Sequence, residues 1–202
     1  MGVSLKEFEA MRDRVQGNRR TAAPVLSASV VSAAAAHAVI LGIDPSLRGT
    51  GYGVIRLGRS EPTALIHGVA YCPAGWERSR CLVRIATTLR DVIRQFQPTA
   101  CAVEGLFYAQ NLQTALIMGE ARGAALVAAA EAGLTIVEIA PRKVKQAIVG
   151  YGAAQKLAVA KMVQRLLRLP ELPTPDAADA LALALVLAQE QRRYSLNPLK
   201  RI

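Results

Sequence analysis

The chain has little material for the commoner kinds of active site. It holds only two histidines, His37 and His67, too few for a histidine-rich metal centre and a poor start for a nucleophilic triad. Its three cysteines, Cys72, Cys81 and Cys101, are odd in number and form no CxxC pair. That argues against a disulfide scaffold and a zinc finger, and fits buried, reduced thiols in a cytoplasmic protein. The apolar run at 30–41 falls short of the roughly 20 residues that span a bilayer. It also leads straight into a strand-like segment, which is not the pattern of a secretory signal. No membrane partner is expected. Acidic residues are in deficit: 15 against 25 basic ones, a net charge of +10 and a pI near 10.1. Such an excess favours a polyanionic partner, nucleic acid ahead of an anionic membrane surface.

What is present is globular: 52% hydrophobic and 20% charged over 202 residues, enough for one domain with some chain to spare. Residues 1–37 are expected to be a flexible extension, or the product of an early start, with one globular domain over 38–191 and a basic tail over 192–202. The apolar run 37–43, ending in Asp44, reads as a buried strand. A turn over 45–50 leads to a second strand at 51–56, and 64–72 reads as a third. The three close strands suggest an antiparallel meander. Residues 76–96 carry apolar side chains at helical spacing with arginines opposite, and Pro98 ends that helix. A short strand at 100–104 precedes a helix over 111–132, closed by Gly133. Then come a strand at 135–139, a helix from Pro141 to about 149, a helix over 154–167, and a very apolar helix over 176–191. The order β-β-β-α-β-α-β-α-α-α implies an α/β domain: a mixed sheet of three antiparallel strands plus parallel strands reached by helical crossovers, flanked by helices.

Four carboxylates resist explanation as surface polarity. Asp44 and Glu104 each end an apolar strand, where an unpaired charge is costly. Asp176 and Asp179, three apart at the start of a helix, share a face. One aspartate there is explained as a cap and dipole partner; the second is harder to explain. Four acids from separate elements of a basic protein suggest a divalent cation site, and oxygen-only donors suit Mg²⁺ or Mn²⁺. Paired ions of this kind hydrolyse phosphodiesters. Residues 141–170 hold seven basic side chains and no acidic one, a one-sign pattern that favours phosphate contacts.

Five segments carry a resemblance. ILGIDPSLRGTGYGVIR at 40–56, AVEGLFYAQN at 102–111, GEARGAALVAA at 119–129, APRKVKQAIVGYG at 140–152 and PDAADALALA at 175–184 together resemble the RuvC family of Holliday junction resolvases. The likeness covers about residues 39–191. It implies an RNase H-like fold and a homodimer that nicks a four-way DNA junction symmetrically, in recombination and repair, with 5′-phosphate products. By resemblance, Asp44, Glu104, Asp176 and Asp179 are the catalytic and metal-binding carboxylates. They would hold two Mg²⁺ per subunit, with Mn²⁺ able to substitute. Phe107 matches an aromatic that stacks on bases at the crossover. Arg142, Lys143, Lys145 and Lys156 fall in the basic segments and are assigned to DNA, Lys156 near the scissile phosphate. The RuvA–RuvB branch-migration complex is the implied partner. The small-residue helix over 111–132 suits either tight packing on its own sheet or a two-fold dimer contact. The 37-residue extension is atypical of the family; its arginines, Arg12, Arg14, Arg19 and Arg20, are candidates for further DNA contact. The GIDPSLRGTGYG loop also resembles the first phosphate loop of actin-like kinases and ATPases, but those chains are usually twice as long. A non-catalytic junction-binding module and an RNase H-like nuclease with another substrate are the remaining alternatives.

Overall fold

The computed structural model describes residues 38–59, 61–105, 112–191 and 199–202. Phe107 and the extension over 1–37 lie outside the described residues, as do 192–198 of the tail. The elements, in chain order, are β1 (Val39–Asp44), β2 (Gly49–Leu57), β3 (Pro62–Tyr71), α1 (Arg78–Phe96), β4 (Ala100–Glu104), α2 (Leu112–Glu131), β5 (Thr135–Ile139), α3 (Pro141–Val149), α4 (Lys156–Leu167), α5 (Pro175–Gln191) and β6 (Lys200–Arg201). The sheet order is β3-β2-β1-β4-β5-β6. β1, β2 and β3 form the antiparallel meander, and β4 and β5 add in parallel beside β1. This is the RNase H-like arrangement expected.

Period-two alternation sorts β1 and β4 onto two faces. Leu41, Ile43, Cys101 and Val103 pack towards α1 and α2. Ile40, Ala100 and Ala102 pack towards α3, α4 and α5. Gly42 and Asp44 continue the second face of β1, and Glu104 that of β4. α1 is amphipathic: Cys81, Ile85, Ala86, Leu89, Val92 and Ile93 are buried, and a fully buried Leu or Ile contributes about 1.5–3 kcal/mol. It starts two residues later than its pattern suggests. Trp76 belongs instead to a turn, its N–H donating to the carbonyl of Pro73, with the Arg80 guanidinium over its ring. The helix ends at Gln97, whose N–H still donates to the Ile93 carbonyl while its left-handed φ turns the chain out of the helix. α2 closes in a Schellman turn: the N–H groups of Gly133 and Leu134 donate to the carbonyls of Ala130 and Ala129.

α5 is buried on nearly every side, from Ala177 to Ala188, which is why its sequence shows no polar stripe. It lies flat on β1 and β2 because that patch of sheet is glycine. A Cβ on Gly42 would collide with the carbonyl oxygen of Ala180, and one on Gly51 with that of Asp176; on Gly53 it would lie 2.6 Å from Leu181 Cδ2. Gly42 and Gly53 are cross-strand partners, and Gly51 is the partner of Asp44.

The tail and the first turn also depart from the sequence reading. The basic tail is not wholly loose: Lys200–Arg201 add a short antiparallel strand to β5. The Lys200 ammonium reaches Glu138, 3.4 Å away; two residues are too few for strand periodicity to show. β2 begins at Gly49, not Gly51, because the 45–50 turn is tighter than expected. In it the Ser46 N–H donates to Thr50 Oγ1, and that hydroxyl donates to the Ser46 carbonyl. All three cysteines are buried and unbridged, and burial pushes the Cys101 thiol up to about 12.

Candidate active site

β1 and β4 run parallel with Ile43 beside Val103. The residues that follow, Asp44 and Glu104, therefore end two neighbouring strands side by side. The carboxyl ends of parallel strands are where ligands gather in such sheets. α5 starts over the same spot: Pro175 opens it, and its glycine seat on β1 and β2 brings Asp176 and Asp179 against the strand ends. The four carboxylates line one cavity of about 380 Å³, with Ser46, Lys145 and Lys156 on its walls. Asp176 Oδ2 passes so close to Gly49 that a Cβ there would stand 3.0 Å from it. The loop on the Asp44 side is braced by Arg48, whose guanidinium donates to the carbonyls of Pro73 and Trp76.

The charges are held in a particular way. Burial, then the neighbouring Glu104, push the Asp44 carboxyl up to about 8. Glu104 is raised too, again mainly by burial. The two acids end neighbouring strands, and their mutual repulsion in a half-buried site favours the protonated form of Asp44 over a second negative charge. Burial alone would lower the Lys156 ammonium, but Asp179, Asp44 and Asp176 outweigh it and hold the group raised. Lys156 Nζ lies 3.0 Å from Asp179 Oδ2.

Among the described residues no three acidic, histidine or cysteine side chains close around one point as a ready-made ion cage. Like charges oppose a closer approach: burial and Glu104 together raise Asp44, and Asp179 is paired with Lys156 instead. The donor set nonetheless fits a hard divalent cation. It is all oxygen and half-buried, and the burial and crowding that raise Asp44 and Glu104 are what a bound cation's charge would relieve.

The basic residues divide. Lys145 lines the acidic cavity and also a neighbouring cavity of about 860 Å³, which Arg142, Tyr151 and Gly152 complete. Tyr151, 64% exposed, was not singled out from the sequence. Lys143 lines neither cavity; its ammonium lies 3.3 Å from Glu190 on α5. Sequence reasoning also missed Arg122, buried on α2 beside the end of β4, and the structural use of Gly42, Gly51 and Gly53. Glycines two apart on a strand, beside one in the preceding strand, were the available signal for a close helix contact.

The comparisons with known proteins accord with this geometry. The family model described as crossover junction endodeoxyribonuclease RuvC matches residues 40–187. The chain belongs to the RuvC family. The RuvC of Akkermansia muciniphila is 45% identical over 161 residues, 80% of this chain and 93% of that one. The RuvC of Heliobacterium modesticaldum is 48% identical over 151 residues, 74% and 93% of the two chains. Among solved structures, T. thermophilus RuvC in complex with a Holliday junction substrate superposes with a TM-score of 0.72 at 35% identity, covering 82% of this chain and all of that one. RuvC proteins are metal-dependent endodeoxyribonucleases, and the acidic cavity lies within the matched region. No helix among the described residues is long and apolar enough to cross a membrane.

Proposed function

We propose that this protein is a cytoplasmic Holliday junction resolvase of the RuvC type, a homodimer that nicks a four-way DNA junction symmetrically. The observation that supports the reading best is the meeting of Asp44, Glu104, Asp176 and Asp179, from β1, β4 and α5, on one cavity walled by Lys145 and Lys156. The carboxylates are assigned to metal binding and catalysis, with two Mg²⁺ per subunit and Mn²⁺ able to replace them. Such ions would supply Lewis acidity to the attacking water and to the departing 3′ oxygen. Asp44 and Glu104 form the half-buried floor. Asp176 and Asp179 complete the donor set from the helix above. Lys156, freed from Asp179, would face charge developing on the scissile phosphate. Lys145 and Arg142 are assigned to the DNA backbone on the adjoining surface, Lys143 to the same basic segment, and Phe107 to base stacking.

Two sites are needed for two nicks. α2 exposes Leu112, Leu116 and Val127, while nothing stands above Gly119 and Gly123. We assign this apolar face to a two-fold contact with a second copy. The nuclease domain is taken as 38–191, and the RuvA–RuvB complex as the partner.

The test is a synthetic four-way junction, end-labelled on each strand in turn and incubated in Mg²⁺, Ca²⁺ or EDTA beside Asp44→Asn. Paired symmetric nicks in Mg²⁺, lost in a variant that still binds, are expected. Binding without nicks in any metal, or equal cutting of linear duplex, would overturn the reading.

A further inference from the structure

α2 is alanine-rich, yet one of its buried side chains is an arginine. Arg122 is 6% exposed, and Thr50 is the only other buried polar or charged residue among those described. A guanidinium is not placed in such surroundings without partners. It has two. One nitrogen donates to the backbone carbonyl of Glu104, and another donates to Glu138 Oε2 at 2.5 Å. Glu138 stands on β5, next to Ile139, whose carbonyl accepts the Gly105 N–H at 2.9 Å. The peptide that follows Glu104 is thus gripped from both sides: by β5 through Gly105, and by α2 through Arg122. Glu104 projects towards α5, whereas Arg122 arrives from the opposite layer, around the strand end.

We infer that Arg122 is a positioning residue, which with Glu138 fixes the last peptide of β4 and so aims the Glu104 carboxylate at Asp44. The inference rests on the reading of Glu104 as a metal ligand. A charge-assisted bond to a main-chain carbonyl restrains the backbone dihedrals of the residue that owns it. Two bonds from one planar guanidinium fix an orientation that a lysine, a single point charge, cannot reproduce. The same link ties the metal site to α2, the helix assigned to the two-fold contact. Displacement of α2 would therefore reach Glu104 through Arg122.

The test compares Arg122→Lys, Glu138→Gln and Glu104→Gln with the wild type in the full-length protein. Five quantities are read: Mn²⁺ binding by the DNA-free protein followed by electron paramagnetic resonance, junction Kd in Ca²⁺, single-turnover cleavage rate, melting temperature and dimer mass. For Arg122→Lys we expect Mn²⁺ affinity and cleavage to fall roughly 10–100-fold, the range for residues that orient metal ligands. Junction Kd should stay within about twofold and the dimer mass should not change, as Arg122 is buried and lines neither the acidic nor the basic cavity. Glu138→Gln, which keeps the carbonyl bond, should fall between that variant and the wild type. A folded, dimeric Arg122→Lys that binds Mn²⁺ and cuts as the wild type does would overturn the inference. So would losses that track melting temperature alone. Glu104→Gln separates the two layers of argument: if it cuts normally, the ligand assignment of Glu104 itself fails, whereas an inactive Glu104→Gln beside a normal Arg122→Lys removes only the role of Arg122.

Discussion

The carbonyl group of Asp176 occupies the place where a side chain on Gly51 would stand. Gly51 is also the cross-strand partner of Asp44. A single contact therefore sets both how deep α5 sits and how near its carboxylates come to the strand ends. Gly51→Ala and Gly42→Ala should each cost about 3 kcal/mol by lifting α5 off the sheet. Urea denaturation gives the stability loss. Cleavage should fall further than stability predicts, because Asp176 and Asp179 move with the helix.

The proton retained by Asp44 gives a pH dependence of defined sign. In the unfolded chain this carboxyl releases its proton near its ordinary value of 3.8, whereas the folded protein holds it up to about 8. Between those limits the native state binds more protons than the unfolded one, so metal-free stability falls as pH rises, by several kcal/mol over the window. Asp44→Asn removes this slope. Denaturation in EDTA from pH 5 to 9 should show a steeper decline for the wild type than for the variant, and equal slopes would contradict the buried-proton account.

Lys156 should matter to chemistry more than to folding. Its side chain is 63% exposed, so the pair with Asp179 contributes under about 1 kcal/mol to stability. If its ammonium faces charge on the scissile phosphate, Lys156→Met should lower the cleavage rate about 10²–10³-fold. Melting temperature and single-turnover kinetics on the same preparation distinguish this from a structural role.

Lys145 and Arg142 border the same basic cavity and are assigned to phosphates. Replacing each by Gln should weaken binding to all junction sequences alike, and should reduce the slope of log K against log salt by about one per residue. Lys143, held by Glu190, should change that slope less. Fluorescence anisotropy across a salt series measures all three.

Much of the candidate site was legible because its residues break local rules. A carboxylate at the end of an apolar strand is conspicuous in any sequence, and Asp44 and Glu104 announce themselves in that way. Asp176 and Asp179 are legible by their spacing of three on a helix that has no other polar face. What stayed hidden depends on partners distant in the chain. Nothing local distinguishes Arg122 from a solvent-facing arginine until β4 and β5 are seen to end beside it. Nothing local shows that Lys143 turns to Glu190 while Lys145, two residues on, turns to the acids. β6 escaped for a different reason: a two-residue strand exists only because β5 offers it an edge.

The burial of α5 also bears on the order in which the molecule comes into being during synthesis. Its side chains fill the face of the sheet beneath α3 and α4, and it carries two of the four carboxylates, yet it follows every other described helix in the chain. A nascent chain that stops before Pro175 has Asp44 and Glu104 but lacks both their counterparts and the helix that closes the core over them. The assembled acidic site thus comes into existence only when the domain is nearly whole, and a prematurely terminated product carries half of the carboxylate set on an open sheet.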